Sequence, residues 1–131
     1  MWVTQRVRDA LASGSNTELL KALVEAFPGS WFFTRLDATF AFVNQTACDT
    51  LGYTRDELMA LTLYDVDASL TPEIWNRLLA IGPFTPAAVR TFHKRKDGTV
   101  IPVEAFGSRI ILDNENLAVS YIVDLSQEVQ T

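Results

Sequence analysis

One histidine, one cysteine and two close pairs of carboxylates are the first places to look for chemistry in this chain. His93 stands in Phe92-His93-Lys94-Arg95-Lys96-Asp97-Gly98, a basic stretch running into a turn. There it reads as a solvated strand histidine. A lone histidine with no Cys/His cluster gives a metal ion too few ligands. Cys48 follows Ala47 on a short apolar segment and reads as a small buried thiol, since cysteine packs like a small hydrophobe. With no second cysteine it cannot form an internal disulfide. Thiol or hydroxyl catalysis needs an adjacent base, and His93 is badly placed to serve one. Asp56 with Glu57 and Asp65 with Asp67 read as capping and solvating groups. Glu57 sits three residues after Thr54, the spacing of a capping box. No Walker-type glycine loop and no dinucleotide-binding fingerprint occurs. No enzymatic activity, no catalytic residue and no metal site is expected.

Composition narrows the partners. The 131 residues are 48% hydrophobic and 21% charged, a globular balance sufficient for one domain. The formal net charge of -5 argues against nucleic acid, where affinity comes from neutralised phosphates. No run of 18 apolar residues exists, so no direct membrane insertion is expected. The start, Met1-Trp2-Val3-Thr4-Gln5-Arg6, does not read as a leader, and the expected location is cytoplasmic.

Periodicity supplies the elements. Val3, Val7 and Leu11 recur at helical spacing over an amphipathic segment assigned to residues 1–14. Ser15 and Glu18 have capping-box spacing before a second stripe of Leu19, Leu20, Leu23, Val24 and Phe27, ended by Pro28-Gly29. Trp31, Phe32 and Phe33 then form a strand, and Leu36-Asp37-Ala38-Thr39 a turn. Phe40 to Val43 form a second strand, with Phe40 and Phe42 expected on one face. Short helices follow: one around Ala47 and Leu51, one capped by Thr54, and one entered at Thr71-Pro72 with a stripe of Ile74, Trp75, Leu78 and Leu79. Residues 62–70 are ambiguous. The last third reads as three strands, over 87–95, 100–112 and 117–125. Asp97-Gly98 is a hairpin signal because both residues tolerate left-handed backbone. The simplest way to bury this order is an α+β domain: a five-stranded antiparallel sheet with helices across one face.

Three segments together resemble the PAS domain family. The first runs from Phe40-Ala41-Phe42-Val43-Asn44 through Leu51-Gly52-Tyr53-Thr54-Arg55-Asp56-Glu57-Leu58. The second is His93 to Thr99 with Pro102-Val103-Glu104. The third is Val123-Asp124-Leu125-Ser126. The resemblance implies the PAS-like fold over residues 15–127, with residues 128–131 starting a C-terminal linker. It also implies a ligand-capable cavity under the helices and dimerisation through terminal helices. The implied role is sensory, in front of a histidine kinase, diguanylate cyclase or transcriptional regulator of bacterial type. An effector domain in the same or a partner polypeptide would be the output. Asp124 matches the family's Asp-Ile-Thr ending and is expected to relay the signal. Arg35, Ala38 and Gln45 depart from the family's frequent Asp, Gly and Pro.

Cofactors follow from the same comparison. Flavin light sensors of this family carry a reactive cysteine in Gly-x-Asn-Cys-Arg-Phe-Leu-Gln, where this chain reads LTLYDVDASL over 61–70. Heme-binding members use a histidine from the long helix, where this chain reads PEIWNRLLAI over 72–81. No cofactor is therefore expected, and an unidentified small apolar ligand is left open. Trp31, Phe33, Phe42, Trp75 and Tyr121 either line a pocket between sheet and helices or simply fill it. Asn44, Thr46 and Arg90 are candidate polar anchors, although Asn44 suits a helix cap better. Val3, Val7 and Leu11 are the expected dimer contacts. The rival function is a ligand-free protein–protein interaction or dimerisation module.

Overall fold

The computed structural model describes residues 5, 16–82 and 85–126. Val3, Val7, Leu11 and Ser15 lie outside the described residues, as does 128–131. Helix α1 (Asn16–Ala26) leads into strands β1 (Ser30–Arg35) and β2 (Phe40–Val43). Four short helices follow: α2 (Gln45–Leu51), α3 (Arg55–Met59), α4 (Leu63–Val66) and α5 (Pro72–Leu79). Strands β3 (Ala87–Lys94), β4 (Val100–Leu112) and β5 (Glu115–Asp124) complete one sheet in the order β2-β1-β5-β4-β3. Every neighbouring pair is antiparallel. This is the expected five-stranded α+β architecture.

Helices α2 to α4 close over the inner face. Their main core joins Phe32, Phe40, Val43, Cys48, Leu51, Leu58 and Val66. The helix starts follow the sequence signals. Thr54 accepts the Glu57 N–H, and the Glu57 carboxylate accepts the Thr54 N–H at 2.9 Å. Thr71 caps α5, with Pro72 at its first position. The ambiguous stretch resolves into α4, where the Asp65 carboxylate accepts the Thr62 N–H at 2.8 Å. Helix α1 lies on the outer side, with the Lys21 ammonium 5.4 Å from the centre of the Phe42 ring.

The second strand corrects one expectation. The β1–β2 register shifts between Phe33 and Thr34, so Phe33 pairs with Phe42 while Thr34 pairs with Phe40. Such a bulge inserts one extra residue and reverses the alternation beyond it. Phe40 therefore joins Phe32 and Val43 in the inner core, and Phe42 packs against Phe33 on the other face.

Two hairpins use one local design. Arg35 N–H donates to Thr39 O at 2.8 Å, and the Asp37 carboxylate accepts the Thr39 N–H at 3.0 Å and its hydroxyl at 2.6 Å. Arg95 N–H likewise donates to Thr99 O at 2.8 Å, with Asp97 accepting from Thr99 at 2.9 and 2.7 Å. The residue between is left-handed in both, Ala38 at φ 72° and Gly98 at φ 90°. Asp97 is not left-handed as expected: the Gly98 N–H returns to Arg95 O at 3.0 Å, closing a turn in which Gly98 alone takes the left-handed backbone. Two consecutive left-handed residues occur instead at Asp113 and Asn114, joining β4 to β5.

Ala38 invites a test, because its opposing effects are of similar size. A left-handed alanine costs about 1–2 kcal/mol. Its methyl is fully buried in a cluster with Trp75 and Ala118, which is worth about 0.8 kcal/mol. Glycine would also enlarge the unfolded ensemble by about 0.4–1 kcal/mol. Ala38→Gly should thus change the urea unfolding free energy by less than about 1 kcal/mol. A larger loss would mean that burial outweighs backbone strain.

Candidate functional site

Small side chains on the inner face of three strands leave room beneath the helices. Ala87 on β3, Ala105 and Gly107 on β4, and Ala118 and Ser120 on β5 form the floor. At Gly107 even a Cβ would come within 3.1 Å of Ser120 Oγ. The roof comes from Leu63, Leu70, Ile74, Trp75, Leu78 and Leu79. The Trp75 indole N–H donates to Leu36 O at 2.8 Å, which fixes α5 over the first hairpin. The cavity, partly open to one side, has a volume of about 280 Å³, near the lower end of small-molecule sites, about 300–1,000 Å³.

One end of the cavity is polar. Asp67 is only 6% exposed. Its Oδ1 accepts the Ser69 N–H at 3.0 Å and the Ser69 hydroxyl at 2.7 Å, and the Thr91 hydroxyl lies 2.9 Å from both carboxylate oxygens. His93 is 3% exposed and stacks on Phe32 with ring centres 5.7 Å apart. Both findings correct the sequence reading, which made Asp67 a solvating group and His93 a solvated one. The alternation of β3 explains His93: Ala87, Val89, Thr91 and His93 face inward, while Ala88, Arg90, Phe92 and Lys94 face outward. Cys48 is a fully buried core thiol, as expected, and burial pushes its pKa up.

Burial holds the His93 pKa below the ordinary imidazole value of 6.5, partly opposed by the Asp67 charge. In the unfolded chain the ring takes a proton near pH 6.5, whereas in the folded domain it resists one. Stability should therefore be full above that pH and fall as pH drops from about 6.5 toward the folded-state pKa. Urea midpoints measured from pH 7.5 to pH 5 should show this slope, and His93→Phe should flatten it. An equal slope in the variant would assign the acid sensitivity elsewhere.

At the far end, Arg109 pairs with Ala118 in the ladder and lines the same cavity. Its Nε is enclosed and has no hydrogen-bond partner among the described residues. A second space of about 260 Å³ lies toward α2, between Thr46, Thr50, Ile101 and Val103. Phe32 and His93 line both spaces and stand between them.

The expected pocket residues divide. Trp75 lines the main cavity. Trp31, Phe33 and Phe42 do not: the Trp31 ring meets Tyr121 at 5.1 Å, and Phe33 meets Phe42 at 5.4 Å, all on the outer face. Tyr121 and Thr46 border only the second space. Arg90 reaches the rim of the main cavity, but its guanidinium pairs with Glu104 at 3.4 Å. Asn44 is 1% exposed and fully engaged. Its Oδ1 accepts the N–H groups of Ala47 and Trp31, both at 3.0 Å. Its Nδ2 donates to Val24 O at 3.0 Å and Gly29 O at 2.8 Å. It is a structural cap with nothing left for a ligand. Asp67, Thr91 and Arg109 were missed; inward parity on β3 and β4 was the available signal for the last two.

Asp124 closes β5. Its carboxylate accepts the Ser126 N–H at 2.8 Å and lies 3.9 Å from the Arg95 guanidinium. Arg95 also donates to Thr50 O at 3.1 Å, so the chain exit, the β3–β4 turn and α2 meet at one side chain. Among the described residues no group of three or more potential ligands could hold a metal ion, and no helix is long and apolar enough to cross a membrane.

Comparison with known proteins gives one consistent result. A PAS domain family model matches residues 29–127. A PAS domain of an HTR-like protein from Haloarcula marismortui is 24% identical, with a TM-score of 0.75 over 88% of this chain and 98% of that one. A PAS domain from a two-component sensor histidine kinase is 16% identical, with a TM-score of 0.72 over 82% and 95%. A PAS domain solved in complex with ethanol, from a LuxR-family transcriptional regulator of Burkholderia thailandensis, is 18% identical, with a TM-score of 0.65 over 81% and 96%. Among curated proteins no match is found.

Proposed function

Because this chain belongs to the PAS domain family, we propose that it is the sensory module of a signal-transduction protein, with the cavity under α4 and α5 as its input. The carrying observation is that cavity: about 280 Å³ of mostly apolar space with a polar cluster at one end. Its small floor residues maintain a void that larger side chains would otherwise fill. The ethanol complex of a similar fold supports a small-molecule input of this kind.

On this proposal the sensory unit is residues 15–127, acting in the cytoplasm and without catalysis of its own. It works as a homodimer through Val3, Val7 and Leu11, and it controls a histidine kinase, diguanylate cyclase or transcriptional regulator. The ligand favours one packing of helices on sheet, which is the differential affinity any switch requires. Asp124 carries the change outward, since it touches both the chain exit and Arg95. A specific observation also favours the rival, a ligand-free interaction module. Phe92 and Phe106 stand 56% and 43% exposed on the outer sheet face, and exposed apolar area marks interfaces.

Native mass spectrometry separates the two. The protein purified from its own host should carry a small-molecule adduct, and Ala105→Phe, which fills the floor, should lack it while melting normally. Bare polypeptide in both would leave the interaction module as the better reading.

A further inference from the structure

Arg109 is the least satisfied charged group on the cavity wall. Among the described residues its Nε, shut off from solvent, has no hydrogen-bond partner, and no ion pair involves it. Arginine stays protonated, and a buried N–H left without an acceptor carries a cost that a bound acceptor would remove. Its ladder neighbour is Ala118, and Asp67 is the one carboxylate among the described residues that line the cavity. The acidic cluster lies at the opposite end. Thr91, which holds Asp67, pairs with Val103, and Arg109 lies further along the same strand. Six strand positions at 3.3 Å each put the Arg109 backbone about 20 Å along the strand from that end.

From these observations, and resting on the sensory reading above, we infer that the cavity takes an organic monoanion, a carboxylate on a compact hydrocarbon body. Arg109 receives the carboxylate through its planar fork, which matches two carboxylate oxygens. The apolar body lies along Ile74, Leu78 and Val89. A volume of about 280 Å³ sets the size: at ~30 Å³ per water-sized group it holds about nine such groups. An eight-carbon acid, with ten non-hydrogen atoms, is close to that size, and the cavity is partly open. With Arg90 held by Glu104, Arg109 and the apolar walls near it suit a monocarboxylate better than a phosphate dianion, which needs more donors.

Octanoate and octan-1-ol are the discriminating probes, titrated calorimetrically into the full chain at fixed pH and salt. Octanoate should bind about tenfold or more tightly than the alcohol, the usual strength of a hydrogen bond to charge. Arg109→Gln should reduce octanoate to the affinity of the alcohol and leave the alcohol unchanged. Arg109→Lys, which keeps the charge and loses the fork, should fall between them. Melting curves without ligand verify that each variant is folded, and Arg109→Met serves if Arg109→Gln is not. Equal binding of acid and alcohol, or an Arg109→Gln variant that still prefers the acid, would overturn the anion inference while the small-molecule reading stands. No binding of either probe to the folded wild-type chain would overturn both.

Discussion

Asn44→Ala should destabilise the domain by about 4 kcal/mol, several times the effect of losing a helix cap alone, which is about 1 kcal/mol. The difference lies in the number of backbone groups served. Asn44 accepts from Ala47 and Trp31 and donates to Val24 and Gly29, all from a site 1% exposed. Truncation leaves these groups in a place that water reaches poorly, and each buried unsatisfied group costs about 1–3 kcal/mol. Asn44→Asp should not rescue, because it turns a donor toward two carbonyls into a carboxylate facing them. For a domain whose whole stability is about 5–15 kcal/mol, either change should shift the urea midpoint well outside error. A loss below about 1.5 kcal/mol would reduce Asn44 to an ordinary cap.

Phe32→Ala should cost a similar amount, about 3–5 kcal/mol, the range for removing a buried aromatic ring. Phe32 is 1% exposed, meets Phe40 edge-on at 5.3 Å and carries His93 on its face. Its loss has a second consequence that most core truncations lack. The ring stands between the main and second spaces, so the variant should have one continuous cavity. Unfolding by urea measures the first effect, and a xenon-pressurised crystal of the variant shows the second. Two separate xenon sites would mean that His93 or Ile122 moves in to restore the partition. Phe32→Leu retains most of the volume and should lose far less stability.

The sheet was legible because its signals are local. Alternating apolar residues, the capping spacings at Thr54 and Thr71, and turn residues at 37–39, 97–99 and 113–114 each act within a few residues of themselves. The site was less legible because it depends on parity across strands. A single extra residue in β2 put Phe42 on the opposite face from Phe40, and nothing in FAFV announces a bulge. Trp31 and Phe33 flank Phe32 and so face away from it, which a dense aromatic run does not disclose. His93 sits among lysines and arginines, so its neighbours suggested water, yet its own side of β3 is turned inward. Asp67 was hidden for a different reason. Its partner Thr91 lies 24 residues away, and only the closing of α4 onto β3 brings the hydroxyl to it.

The cavity floor consists of alanines, a glycine and a serine set in strands that are held by backbone bonds. A ladder of peptide groups holds its pairing across many choices of side chain, at a cost of about 1 kcal/mol or less each. On the proposed sensory reading, point changes at Ala87, Ala105 or Ala118 would alter which ligands fit while the strand pairing stays as it was. The size of the bare floor and the strength of the sheet are thus set by different atoms, side chains for one and backbone for the other.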